Sequence, residues 1–200
     1  MKRLFVLLLF PLASIAQKTP SEEDCASAYK ALPKIDGQYE WSEVIQVDTS
    51  LKKDDLYRNA KLFFANEFKS AKDVLQYDDR GEGKVVGKGN FFIEDLQSAF
   101  MVMFTDKRTV NFTLEIYCKD GRYKYRIYGI NADCLIRASG GSSPDNVRSE
   151  NISIEDAYLK CGKGMTKKMD RRLFMLMVAE INSTVNDIKK MMVSAKKDDF

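Results

Sequence analysis

Val110-Asn111-Phe112-Thr113-Leu114-Glu115-Ile116-Tyr117-Cys118-Lys119-Asp120-Gly121-Arg122-Tyr123-Lys124-Tyr125 is the stretch that decides the fold. Val110, Phe112, Leu114, Ile116 and Cys118 alternate with Asn111, Thr113, Glu115 and Tyr117, and a period of two is what a strand with one buried face requires. Lys119-Asp120-Gly121-Arg122 then reads as a tight hairpin turn, because Asp-Gly tolerates the positive-φ backbone that such turns use. The return strand covers residues 123–130.

On the N-terminal side, residues 84–93 and 73–77 read as two further strands, joined by a polar turn at 78–83. Residues 39–47 form another, with Tyr39, Trp41, Ile45 and Val47 on one face. Between them, Thr49-Ser50 is placed to cap a helix over residues 51–68, whose Leu56, Ala60, Phe63, Phe64 and Phe68 recur at helical spacing. On the C-terminal side, the Gly- and Ser-rich residues 139–151 read as a flexible loop. A long helix over residues 167–194 follows, with the stripe Met169, Leu173, Leu176, Met177, Ile181, Val185, Ile188 and Met192. Ahead of all this, residues 17–37 are polar and loosely organised, with a short helix capped by Ser21-Glu22-Glu23-Asp24 and ending before Pro33. The order β-α-β-β-β-β-α specifies one α+β domain over residues 38–200, with helices packed on one face of an antiparallel sheet.

Three features carry a resemblance: that order of elements, the segment Tyr77-Asp78-Asp79-Arg80-Gly81 leading to Val86-Gly87-Lys88-Gly89, and the hairpin from Cys118 to Tyr125. Together they resemble a family of secreted bacterial domains of unassigned function, described by a TATA-binding-protein-like fold. The resemblance implies a fold and a cell-envelope location. It implies no activity, and a fold shared with a DNA-binding protein is no argument for binding DNA.

Residues 1–16 carry the marks of an export signal. Met1, Lys2 and Arg3 precede an apolar run over residues 4–15, and Ser14 and Ala16 are small residues placed for cleavage before Gln17. The run is shorter than the ~20 residues that span a bilayer. Cys25 follows Glu22-Glu23-Asp24, which is not a lipid-attachment context. Cleavage after Ala16 removes Lys2 and Arg3 and leaves 30 basic against 29 acidic residues. That balance gives no global reason to expect a nucleic-acid partner. In an oxidising compartment, Cys25, Cys118, Cys134 and Cys161 allow three disulfide pairings. Cys118 sits in an apolar alternation where burial alone also accounts for it.

The chain contains no histidine, which removes Ser-His-Asp and Cys-His catalysis and His-based metal sites. Ser27-Ala28-Tyr29-Lys30 fits the serine–lysine pattern S-x-x-K, but so do residues 50–53 and 194–197, and the companion motifs are absent. Gly81, Gly83, Gly87 and Gly89 match no phosphate-cradling spacing. They suit a turn and a strand whose small positions accommodate a crossing helix. Asp78, Asp79 and Glu82 form part of a calcium-loop pattern without its later ligands, and a solvated turn explains them as well. No catalytic residue, metal or cofactor is therefore expected.

Binding is the remaining expectation. Tyr117, Tyr123, Tyr125 and Tyr128 interleave with Arg122, Lys124 and Arg126 on the hairpin, a composition that stacks on and attracts ligands. The expected partner is a protein, peptide or glycan of the cell envelope, met by the sheet face or by the edge beside the Asp120-Gly121 hairpin. The alternative is an anionic membrane surface engaged by the C-terminal helix. Residues 160–197 hold ten Lys and Arg against three acidic residues, with several methionines.

Overall fold

The structure is a computed structural model and describes residues 19–68, 74–99, 102–137, 147–159 and 166–194. The expected signal segment 1–16 and Cys161 lie outside them. So does the side chain of Cys134. In chain order the elements are α1 (Glu22–Ala31), β1 (Lys34–Ile35), β2 (Gln38–Tyr39), β3 (Trp41–Gln46), α2 (Lys53–Glu67), β4 (Leu75–Asp79), β5 (Lys84–Ala99), β6 (Val102–Lys119), β7 (Arg122–Arg137), β8 (Val147–Ser153), α3 (Ile154–Leu159) and α4 (Thr166–Met192).

Six of the strands form one antiparallel sheet in the order β3-β7-β6-β5-β4. Strand β8 pairs with the far half of β7, Asn131↔Ser153 through Arg137↔Val147, while β3 pairs with its near half, Trp41↔Ile127 through Gln46↔Arg122. The two short strands thus share one edge end to end. Between them Gly129 adopts φ +64°, and the register slips so that Tyr128 opposes Thr113 but Asn131 opposes Asn111. This bulge changes which residues of β7 face inward: Tyr123, Tyr125 and Ile127 before it, Ile130 and Ala132 after it.

The helices cover one face. Leu56, Ala60, Phe63, Phe64 and Phe68 of α2 and the residue after it are buried, as are Leu173, Phe174, Met177, Ile181, Val185, Ile188 and Met192 of α4. They meet Val85, Val110, Phe112, Leu114, Ile116 and Cys118 from the sheet, so the alternation in β6 is the core itself. Two glycines let α2 approach this closely. A Cβ on Gly87 would lie 2.5 Å from the Phe64 ring, and one on Gly89 would lie 2.5 Å from Phe112 and 2.6 Å from Phe68. Strand β5 is smooth where the aromatic stripe of α2 crosses it, as the small positions in its sequence suggest.

The hairpin turn Lys119 to Arg122 forms as expected, with Gly121 at φ +68°. It also organises its surroundings. Asp120 Oδ1 accepts from Lys53 N at 2.8 Å, Gly121 N donates to Leu51 O at 3.0 Å, and Val47 N donates to Gly121 O at 2.9 Å. The turn therefore caps a helix 67 residues earlier in sequence. This corrects the expected cap at Thr49-Ser50. Asp48 engages Ser50 N and Leu51 N, so those residues make a turn, and α2 starts at Lys53.

Other expectations also need correction. The chain bends at Glu40, whose N donates to Pro33 O at 3.1 Å, so Tyr39 belongs to a small β1–β2 ribbon and not to β3. Strands β5, β6 and β7 run on past the expected ends at residues 93, 110 and 130, because each extension pairs with the next. Residues 147–151 are strand, not loop, and α3 was not anticipated. Nor is the N-terminal extension loose. Helix α1 buries Cys25, whose Sγ donates to Arg171 O of α4 at 3.9 Å, and Tyr29 stacks on Tyr158 of α3 with ring centres 3.6 Å apart. Cys118 carries a free, fully buried thiol, which burial pushes up to about 12 and leaves unreactive.

Candidate functional site

Among the described residues, α1, α2, α3 and α4 all lie on one side of the sheet, and no helix covers the other. The antiparallel registers set out the bare face in cross-strand rows. At the hairpin end, Gln46, Arg122 and Lys119 make the first row, and Val44, Lys124, Tyr117 and Lys84 make the second. Ser42, Arg126, Glu115, Val86 and Tyr77 follow, then Tyr128, Thr113 and Lys88. Phe92 stands opposite Thr109 beyond the bulge.

This face leaves three large apolar side chains in water. Val44 is 54% exposed, Phe92 52% and Tyr77 42%. Charge on it is one-sided. Its carboxylates are consumed internally: Arg126 donates to both oxygens of the buried Glu40, at 2.8 and 2.7 Å, and lies 3.6 Å from Glu115, which Lys84 also pairs at 3.4 Å. The Arg126 guanidinium holds Glu40 below the usual carboxylate range, and Glu40 in turn raises Arg126. Cations also lie over rings. Lys84 sits 5.8 Å from the centre of Tyr77, Lys119 5.5 Å from Tyr117, and Arg126 5.0 Å from Tyr128. Lys88, Lys119, Arg122 and Lys124 make no ion pair among the described residues.

Of the seven hairpin residues expected to bind, five lie on this face: Tyr117, Arg122, Lys124, Arg126 and Tyr128. Tyr123 and Tyr125 do not. They are 1% and 4% exposed on the helix side, where Tyr125 Oη donates to Glu43 at 3.1 Å beside Lys189 of α4. Burial first, then that carboxylate, raises the Tyr125 phenol. Strand alternation separates the tyrosines: odd positions of β7 ahead of the bulge face the core and even positions face water. Val44, Tyr77, Lys84, Lys88 and Phe92 join the face unforeseen. The signal that could have found them was the same period of two, continued across β3, β4 and β5.

Two concavities lined by described residues bear on the site. The larger, about 680 Å³ beside α2 and β4, is lined by Asp54, Arg58, Lys61, Leu62, Leu75 and Arg80 among others. Its charges are already matched: Arg80 with Asp54 at 2.8 Å, Arg58 with Asp55 at 3.5 Å, and Lys61 with Asp78 at 2.6 Å. Tyr57 Oη also donates to Asp78, Asp79 accepts from Glu82 N, and Glu82 accepts from Tyr77, so the three acidic residues of the turn are served by protein donors. The smaller concavity, about 200 Å³, lies on the bare face at the hairpin end, against Val44, Tyr117, Lys119, Arg122 and Lys124. Its three cations make no ion pair among the described residues, which leaves them electrostatic attraction to spare.

The basic C-terminal helix reads differently once placed. Leu173, Met177, Ile181, Val185, Ile188 and Met192 of its stripe are buried in the core with the sheet and α2, so those side chains are not available to enter a bilayer; Leu176 is half-buried. No helix among the described residues is long and apolar enough to cross a membrane.

The comparisons with known proteins agree with this architecture. No protein of curated function matches the sequence. The chain is similar in structure to a DUF4468 family protein from Bacteroides ovatus ATCC 8483, with a TM-score of 0.54 and 16% identity, covering 83% of this chain and 92% of that one. It is also similar to a TBP-like protein from Parabacteroides distasonis ATCC 8503, with a TM-score of 0.58 and 13% identity, covering 82% and 99%. At such identities the likeness shows the fold alone. The sequence itself matches the family profile described as a domain of unknown function with TBP-like fold over residues 41–132, from the start of β3 through the bulge in β7. Over those residues the chain is similar to the DUF4468 family, and its fold is TBP-like.

Proposed function

We propose that this chain is an exported, non-enzymatic binding domain of the bacterial cell envelope, and that it engages another envelope component through the bare face of its sheet. One observation carries the reading. Among the described residues, four helices pack on one side of the sheet, while the other side keeps Val44, Tyr77 and Phe92 in water and carries Lys88, Lys119, Arg122 and Lys124, which make no ion pair among those residues. These apolar groups stand singly across the face, and burying them against a partner would be favourable; what suits the face to binding is their mixture with rings and cations. Export is supported by the charged, apolar and small-residue order of residues 1–16.

The test uses the full chain expressed with its leader in a bacterial host. Fractionation should place the processed protein outside the cytoplasm, beginning at Gln17. Purified protein should be retained by washed envelopes, and a Tyr77→Ser, Phe92→Ser double variant should lose that retention with its melting temperature unchanged. Retention unaffected by the double variant but abolished by Leu62→Ser on α2 would move the working surface to the helix side and overturn the reading.

A further inference from the structure

The notch at the hairpin end differs from the rest of the bare face in three ways that together name a ligand chemistry. First, it gathers three cations without a carboxylate. Lys119, Arg122 and Lys124 line one concavity of about 200 Å³, and none makes an ion pair among the described residues. Farther along the same face, Arg126 and Lys84 are spent on Glu40 and Glu115. An anion entering the notch displaces no internal partner.

Second, the notch is held in shape from below. Cross-strand pairs Val44↔Lys124 and Lys124↔Tyr117 fix three of its walls in adjacent strands. The turn that carries Arg122 is tied to α2 through Asp120 Oδ1 and Lys53 N at 2.8 Å, and through Gly121 N and Leu51 O at 3.0 Å. Lys119 is further positioned over the Tyr117 ring, 5.5 Å from its centre. Preorganised donors lose little freedom on binding.

Third, its size and its backbone argue against a peptide. The volume is below the ~300 Å³ where drug-sized pockets begin, and at ~30 Å³ per water it corresponds to about seven water molecules. That is room for one ring-sized unit and more than a bare carboxylate fills. The main-chain groups of β7 beneath it are engaged in the β3–β7 and β6–β7 ladders, and the open outer edge of β3 lies in the plane of the sheet, so a peptide extending that edge would run beside the notch and not fill it. Recognition has to come from side chains acting on groups at the ligand's own periphery. Arg122 and the two lysines supply donors for an acid group. Val44 and the edge of Tyr117 supply an apolar wall.

The geometry points to a binding site for one acidic sugar unit, a monosaccharide carrying a carboxylate or a phosphate, as a unit of an anionic envelope glycan. This rests on the reading that the bare face is the working surface, and it specifies where on that face the charged unit sits.

The experiment is a chemical-shift titration of isotopically labelled, processed full-length protein. The probes are a glucuronic-acid oligosaccharide, glucose 6-phosphate, a neutral glucose oligosaccharide and a polyglutamate peptide. The acidic sugars should shift the amides of Val44, Tyr117, Lys119, Arg122 and Lys124, the neutral sugar should not, and the stronger of the two acids names the acid group. Lys124→Glu should weaken binding by at least about tenfold, and Arg122→Gln should weaken it without reversing charge, whereas Lys88→Glu, farther along the face, should leave it unchanged. Raising salt to ~0.15 M should weaken binding measurably. Polyglutamate binding as tightly at the same amides overturns the sugar assignment. Shifts confined to the surroundings of Lys88 and Phe92, or equal binding of neutral and acidic sugars, overturn the notch. Both results leave the bare face standing as long as the Tyr77→Ser, Phe92→Ser variant still loses envelope retention. Acidic sugars binding in the notch while that variant keeps its retention would separate the two claims the other way.

Discussion

The two faces of one sheet show how differently the same strands can be used. On the helix side, every second residue of β6 from Val110 to Cys118 is apolar and fully or nearly fully buried, and β5 gives up side chains at Gly87 and Gly89 where Phe64, Phe68 and Phe112 come close. On the other side, the alternate residues include cations, tyrosines and isolated apolar groups, of which Val44, Tyr77 and Phe92 stay exposed. The first face is explained by packing. The second has carboxylates tied up at its centre and cations left over at its hairpin end, and packing does not account for that. The difference is what makes the bare face the candidate site.

The comparison can be broken first where its effect is largest. Ile181 of α4 is fully buried against the sheet, so Ile181→Ala should cost about 2–5 kcal/mol, read by chemical denaturation. A loss below ~1 kcal/mol would mean α4 is not a core element. Next, Gly87→Val places a branched side chain where Phe64 already lies within 2.5 Å. An overpacking loss of about 1–3 kcal/mol is expected, and an unchanged midpoint would show that α2 sits farther from β5.

The buried acid on the bare side offers a third check, through pH. Arg126 holds Glu40 below its ordinary value of 4.5, so the folded chain binds that proton less readily than the unfolded one. The resulting stabilisation is complete above that value and is lost as pH falls through the folded-state value. Wild-type protein should therefore lose stability on acidification below about pH 4.5 more steeply than Glu40→Gln. Parallel acid limbs would show that the pair contributes nothing.

The smallest effect belongs to Tyr123. Its hydroxyl is buried without a hydrogen-bond partner, and burial pushes its phenol up to about 12. Removing an unsatisfied buried hydroxyl should be neutral or stabilising by up to ~1 kcal/mol in Tyr123→Phe. Destabilisation would reveal a partner for that oxygen.

The helix-covered face was the more legible in sequence, for a physical reason. Burial selects apolar residues at a fixed period, so β6, α2 and the stripe of α4 announced themselves. The bulge at Gly129, the bend at Glu40 and the strand at 147–153 depend on partners distant in sequence, and their local composition resembles loop. Tyr123 and Tyr125 group with Tyr117 and Tyr128 in sequence because the four look identical until the register places them. Tyrosine serves a core and a wet surface equally well, so composition could locate the hairpin but not its working side.

Hydroxyl-radical footprinting with and without envelope extract tests the central claim most directly, because exposed apolar residues stand on both sides of the molecule. Val44, Tyr77 and Phe92 report on the bare face, and Leu62, Leu159 and Val193 report on the helix side. The account predicts protection at the first three and none at the second three. Protection at Leu62, Leu159 or Val193, with the bare face still reactive, would contradict it.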